Sequence, residues 1–377
     1  MLPVACGSSP LEDHASLGFY GTPDEIIKKL EQTNKDAGQY FMLGQAFKDQ
    51  KQHKKALLYF ANSCFASHKN EQLTLYPMPV YSYVTSFRRK SAYYEDALYE
   101  IALIMYSYQE YGYTEKFLKK IGKSNLGLHV DAQILLSRAL QAQKKEDEAF
   151  DILSDEISAA PNNPTLLKLL IRRASLYESI DDYGMAAADY SLIIEKDMKS
   201  WQAGLSAANL YRLAGKAGLD TNETLLLAKG LYIAKKHKEA QDILTSLKKD
   251  EQADKKTVNE YTLRVLTNLG PDAEAQKAAK EIPDGQQIMA DELWLSGKRD
   301  KAVQVYRDTL KNNVTEKALY RTALYMSDRN RSGYSSFLEL YIKNFPDAEN
   351  AGQMLWLLAR SRIENGQTNE AEKLLGK

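Results

Sequence analysis

The stretch YFMLGQAFKDQKQHKKALLYFANS, residues 40–63, decides the fold. Large side chains at Tyr40, Leu43 and Phe47 are followed by a polar break, Lys51-Gln52-His53, and then by Ala56, Phe60 and Ser63. Gly44 and Ala56 carry little or no side chain, so two helices joined at the break can approach closely there, while the large residues fill the space around the contact. The same arrangement recurs along the chain. Leu98, Ile101, Ala102 and Met105 repeat its first half, with Leu118 in place of Phe60. Leu136, Ser137, Leu140, Ala149 and Leu153 repeat it again, as do Leu170, Ala174, Tyr177, Ala186 and Tyr190. Leu227, Ala228, Leu231, Ala240 and Leu244 form a further copy, followed by Met289, Ala290, Leu293, Ala302 and Tyr306. The last copy is Leu355, Leu358, Ala359, Ala371 and Leu375.

These residues resemble the tetratricopeptide repeat, a unit of about 34 residues folded as two antiparallel helices, A and B. In its numbering Tyr40, Leu43, Gly44, Phe47, Ala56, Phe60 and Ser63 stand at positions 4, 7, 8, 11, 20, 24 and 27. The resemblance implies an all-α fold, a right-handed α-α superhelix of about nine to ten hairpins. The expected organisation is a flexible tail over 1–22 and a solenoid over 23–377, with irregular insertions near 73–90 and 213–221. Pro77 and Pro79 mark the first insertion, because proline cannot continue a helix interior. Gly215 to Thr221 mark the second.

A chain of 377 residues exceeds what one compact core organises, which suits an elongated array. Lys plus Arg and Asp plus Glu balance at 50 each, so net charge offers no drive toward nucleic acid or an anionic membrane. Cys6 and Cys64 form no CxxC pair, and the five histidines lack ligand spacing, so no metal site is expected. Gly122-Lys123-Ser124 lacks the glycine five residues upstream that a phosphate loop needs, and neither HExxH nor Gly-x-Ser-x-Gly occurs. The reading is therefore non-enzymatic, with no catalytic residue and no cofactor.

In tetratricopeptide arrays positions 2, 5, 9 and 12 of the A helices line a concave groove. The fixed set of Lys, Asn and Arg by which some members capture a C-terminal carboxylate is not matched: position 5 reads Phe41, Tyr99, Ile134, Ile171, Leu205, Leu225 and Trp356, with no lysine, and position 9 offers asparagine only at Asn209. Aromatic and basic residues on or beside these positions are the candidate binding stripe for a protein or peptide partner. They are Tyr99, Tyr106, Arg138, Arg172, Arg212, Lys229, Tyr232, Trp294, Trp356 and Arg360.

The opening Met1-Leu-Pro-Val-Ala-Cys6-Gly-Ser-Ser9 resembles the end of a bacterial lipoprotein signal. That resemblance implies a lipid on Cys6 as the one membrane attachment, and a periplasmic or outer-membrane location; without it the expectation is cytoplasmic. The segment Phe337 to Pro346, with Met354 to Ala359 and Asn365 to Ala371, resembles the superhelix of soluble lytic transglycosylases. It implies an alternative: the non-catalytic part of a peptidoglycan-cleaving enzyme whose catalytic domain is absent from this chain. The first expectation is a protein-binding scaffold in a bacterial envelope.

Overall fold

The computed structural model describes residues 22–31, 35–64, 91–160, 163–270, 272–329 and 333–376, and every regular element among them is an α-helix. The expected tail, with Cys6, and the expected insertion at 73–90 lie outside the described residues, Thr22 apart. The chain divides into two compact units, Met1–Lys196 and Asp197–Lys377.

The first unit opens with α1 (Pro23–Leu30). Four antiparallel pairs follow: α2 (Ala37–Asp49) with α3 (His53–Ser63), α4 (Tyr94–Ser107) with α5 (Tyr111–Leu118), α6 (Leu126–Ala142) with α7 (Glu146–Ala159), and α8 (Asn163–Ser179) with α9 (Tyr183–Lys196). The second unit opens with α10 (Trp201–Ala217). Five pairs follow: α11 (Thr221–Ile233) with α12 (His237–Leu247), α13 (Lys255–Leu269) with α14 (Asp272–Glu281), α15 (Gly285–Leu295) with α16 (Arg299–Thr309), α17 (Glu316–Asp328) with α18 (Tyr334–Asn344), and α19 (Ala351–Glu364) with α20 (Thr368–Leu375). Nine hairpins among the described residues match the repeat count expected from sequence.

Seven of these hairpins close on small residues. Gly44, Ala102, Ser137, Ala174, Ala228, Ala290 and Ala359 on the first helices are buried, as are Ala56, Thr114, Ala149, Ala186, Ala240, Ala302 and Ala371 on the second. At Gly44 the approach leaves no room for a side chain: a Cβ there would lie 2.6 Å from the ring of Phe60. Phe60, Leu118, Leu153, Tyr190, Leu244 and Tyr306 then fill the interior at position 24.

The turn from A to B is one conformation used repeatedly. Lys51, Gln109, Lys144, Asp181, Lys235, Gly297 and Gly366 all take a left-handed backbone, with φ of 60° at the first, third, fourth and fifth. In each case the next residue donates its N–H to the carbonyl five residues back, as Lys145 does to Leu140 at 3.0 Å and Gln52 to Phe47 at 2.8 Å. The left-handed residue itself donates three residues back, as Lys144 does to Gln141 at 2.9 Å. This is the Schellman ending, which satisfies the last carbonyls of helix A while reversing the chain. Six of the B helices that follow have no side-chain N-cap, namely α3, α5, α7, α12, α16 and α20; at α9 Asp182 accepts from the Met185 N–H at 3.1 Å. First helices more often start on one: Asp36, Asn125, Asp220, Asp254 and Thr315 each accept from a backbone N–H one turn on.

The expected irregularity near 213–221 is smaller than the sequence suggested. Helix α10 runs unbroken through Ala217, with Leu213 buried, because that segment is rich in helix formers. Only Gly218, left-handed at φ 64°, stops it, and Asp220 with Glu223 forms a capping box two residues later. Helix α10 packs on α11.

A non-glycine residue in the left-handed region costs about 1–2 kcal/mol relative to right-handed backbone. Lys144→Gly and Lys235→Gly should therefore each raise unfolding free energy by about 0.5–1 kcal/mol in urea titrations, net of glycine's greater unfolded-state entropy. Loss of stability in both variants would contradict the turn assignment.

Candidate functional site

Side chains on and beside the A-helix face expected to meet a partner already have duties within the array. In the first unit, Gln45 and Lys48 on α2 both donate to Glu100 on α4, at 2.7 and 2.5 Å. Asp131 on α6 pairs with Lys168 on α8 at 2.9 Å. Arg172 on α8 donates from Nε to Ser137 Oγ at 2.8 Å and from Nη2 to Gln141 Oε1 at 2.7 Å, both on α6. Polar side chains thus pin α2 to α4 and α6 to α8.

The second unit does the same around two acids on α15. Glu292, only 2% exposed, accepts from Tyr232 on α11 at 2.6 Å and from Arg264 and Asn268 on α13 at 2.6 and 3.0 Å. Burial first, and then the Glu292 charge, push the Tyr232 phenol well above its ordinary range. Asp291 accepts from Lys317 and Arg321 on α17 at 2.6 and 2.9 Å and from Tyr306 on α16 at 2.5 Å. Tyr320 on α17 reaches Gln353 on α19 at 3.2 Å.

The expected stripe separates into groups. Tyr232 belongs to the Glu292 cluster and is half-buried. Lys229 is half-buried, with its Nζ 5.7 Å from the Tyr261 ring. Trp294 is half-buried between the guanidinium groups of Arg299 and Arg321, 5.4 and 5.2 Å from its ring, and meets Tyr325 edge-on. It packs against the second unit's core, so its large apolar ring serves the fold and not an open surface. Arg212 is exposed on α10. Trp356 and Arg360 do lie together on α19: Trp356 is 55% exposed, and the Arg360 guanidinium sits 5.8 Å from its ring while bonding Glu364 at 2.8 Å.

The structure brings Tyr99, Tyr106, Arg138 and Arg172 to one face of the first unit, across α4, α6 and α8. Tyr99 and Tyr106 are half-buried and Arg138 is exposed, while Arg172 is only 6% exposed. Burial is the main cause that raises the Tyr99 phenol, Asp131 and Glu100 add to it, and Arg138 opposes it, so these charges act on one another. Leu103, Ile134 and Ile171 are half-buried on the same three helices.

Sequence reasoning missed Glu100 and Glu292, whose positions beside the groove register gave no sign that they hold neighbouring helices. It also missed Trp201, the most exposed tryptophan at 65%, which shares a face of α10 with Leu205 one turn on. The signal was present: a large apolar pair at i, i+4 directly after the Ser200 cap. Among the described residues no group of three or more His, Cys, Asp or Glu side chains could hold a metal ion, and no helix is long and apolar enough to cross a membrane.

No family model matches the chain. Over 210 residues it is 26% identical to mitochondrial import receptor subunit TOM34 of Pongo abelii, covering 56% of this chain and 64% of that protein. Over 190 residues it is 25% identical to the Mus musculus protein of the same name, covering 50% and 59%. The matched region is thus under two thirds of the length of these curated relatives. Among solved structures, Naa15/Naa10 bound to HypK-THB aligns with TM-score 0.28 and 18% identity over 70% of this chain and 44% of that one. The P58(IPK) TPR domain aligns with TM-score 0.27 and 13% identity over 88% and 97%. The hairpin geometry itself carries the fold. The chain is a tetratricopeptide-like helical-repeat protein.

The two tryptophans first grouped together should now behave differently. Trp294→Ala should cost about 2–3 kcal/mol of unfolding free energy, as a packed aromatic flanked by cations does. Trp356→Ala should cost under about 1 kcal/mol, as an exposed side chain does. Parallel urea denaturation of the two variants checks this, and equal losses would contradict the placement.

Proposed function

We propose that this chain is a non-enzymatic scaffold that recognises another protein on the α4–α6–α8 face of its first unit. The observation that carries the reading is Arg138. It is exposed and makes no ion pair or hydrogen bond among the described residues, whereas acids next to it on the same face are already committed to Lys48 and Lys168. Beside it, Tyr99, Leu103, Tyr106, Ile134 and Ile171 keep part of their apolar surface open to solvent. Aromatic and Arg side chains on a rigid helical platform are what protein interfaces use as anchors. Relatives named as import receptor subunits are of a kind with recognition and not with chemistry. No relative named above is a cell-wall enzyme, and the likeness to lytic transglycosylases has no further support.

The experiment is in-cell photo-crosslinking from two exposed positions, Ser175 on α8 beside this face and Asp151 on α7 as a control. A discrete protein adduct from position 175 and none from 151 is expected. Adducts of equal yield and identity from both would remove the face from consideration.

A further inference from the structure

We propose that Arg138 and Arg172 together form an anion site that takes a side-chain carboxylate from an acidic segment of the protein partner. The inference rests on the reading that the α4–α6–α8 face docks a protein, and it names the chemistry of what docks.

Arg172 is the anomaly. A buried guanidinium normally has a carboxylate, because an unpaired buried charge is expensive. Elsewhere this chain obeys that rule. Arg173, the next residue, holds Asp189 with two bonds at 2.7 and 2.9 Å, and Arg264 holds Glu292 at 2.6 Å. Arg172, more buried than either, has only the neutral Ser137 and Gln141. Neither of those depends on it. Ser137 also donates to the Ile134 carbonyl at 2.8 Å, and Gln141 to Ser179 at 2.8 Å. The guanidinium has five N–H donors in a fixed fork. Its Nη1 has no acceptor among the described residues, yet it is not one of the unpartnered polar atoms sealed from solvent.

Arg138 makes the position of Arg172 worse in the unliganded protein. It follows Ser137 directly on α6, and its charge adds to burial in depressing the Arg172 guanidinium to about 10. Two like charges held near each other, one of them desolvated, are a standing cost that an anion between them removes. The acids already on this face are spoken for: Asp131 by Lys168 and Glu100 by Lys48 and Gln45. The anion must therefore come from outside the described residues. Arg forks match carboxylates two bonds at a time, and the flanking Tyr99 and Tyr106 offer apolar bodies with polar tips, which suits an acidic segment that also carries apolar side chains.

The test uses the full chain and two dye-labelled, C-terminally amidated twelve-residue peptides, one alternating Glu and Leu, the other Gln and Leu. Anisotropy titrations are run on the parent, Arg138→Gln and Arg172→Met, with a twelve-nucleotide oligothymidylate as competitor. The acidic peptide should bind at least about tenfold more tightly than its Gln counterpart, and that preference should fall below about twofold in either variant. Without peptide, Arg172→Met should melt within about 3 °C of the parent, since no carboxylate is left unpaired. Equal binding of both peptides would overturn the anion site while leaving the face as a docking surface. Failure of both to bind, or displacement of the acidic peptide by the oligonucleotide at equal concentration, would also overturn it. So would a large melting loss in Arg172→Met with the acid preference intact in Arg138→Gln, which would make Arg172 a structural residue.

Discussion

The contact on which everything else depends is the close approach of helix A to helix B at two small side chains. With nothing larger than alanine, serine or threonine at positions 8 and 20, the helix axes come near enough for Phe60, Tyr190 or Tyr306 to seal the interior beside them. A packed core tolerates neither a void nor an intruding methyl there. The Schellman turn answers the same requirement from the backbone side, since a longer loop would leave the last carbonyls of helix A without donors and let the pair splay.

Close pairing has a consequence for function. When each B helix is held tightly behind its partner, successive A helices lie side by side, and their facing side chains meet before any ligand arrives. Glu100, Asp131, Asp291 and Glu292 show the outcome: each is an acid bound by side chains from a neighbouring helix. Residues that look like a binding stripe are in large part the means by which the array keeps its register. What is left over carries information, and in the first unit that remainder is a pair of arginines without an acid.

The fold was legible in the sequence because its cause is compositional: a small residue at fixed spacing, flanked by large ones, means the same thing in seven of the hairpins. The turns were legible as polar breaks but not as left-handed backbone, since lysine at 51, 144 and 235 gives no local hint of positive φ; the hydrogen bonds that close the end of helix A accompany it. The second insertion was over-read from Gly215, which the helix tolerates, when Gly218 is the residue that ends it. The candidate site was legible only as residue types. Trp294 and Trp356 look alike in a linear pattern, yet one is clamped by arginines from two other helices and the other is open. Arg172 and Arg173 are adjacent in sequence, and only packing gives Asp189 to one and no acid to the other.

The most direct test of this account is the unfolding free energy of Gly44→Ala, measured alone and together with Phe60→Leu in a double-mutant cycle. Helix propensity by itself favours the alanine by about 1 kcal/mol. The packing account predicts the opposite sign, a loss of about 1–3 kcal/mol from the clash with the Phe60 ring, largely relieved when that ring is replaced by leucine. A stabilised Gly44→Ala chain with no coupling to position 60 would contradict the claim that the small-residue contact sets the hairpin.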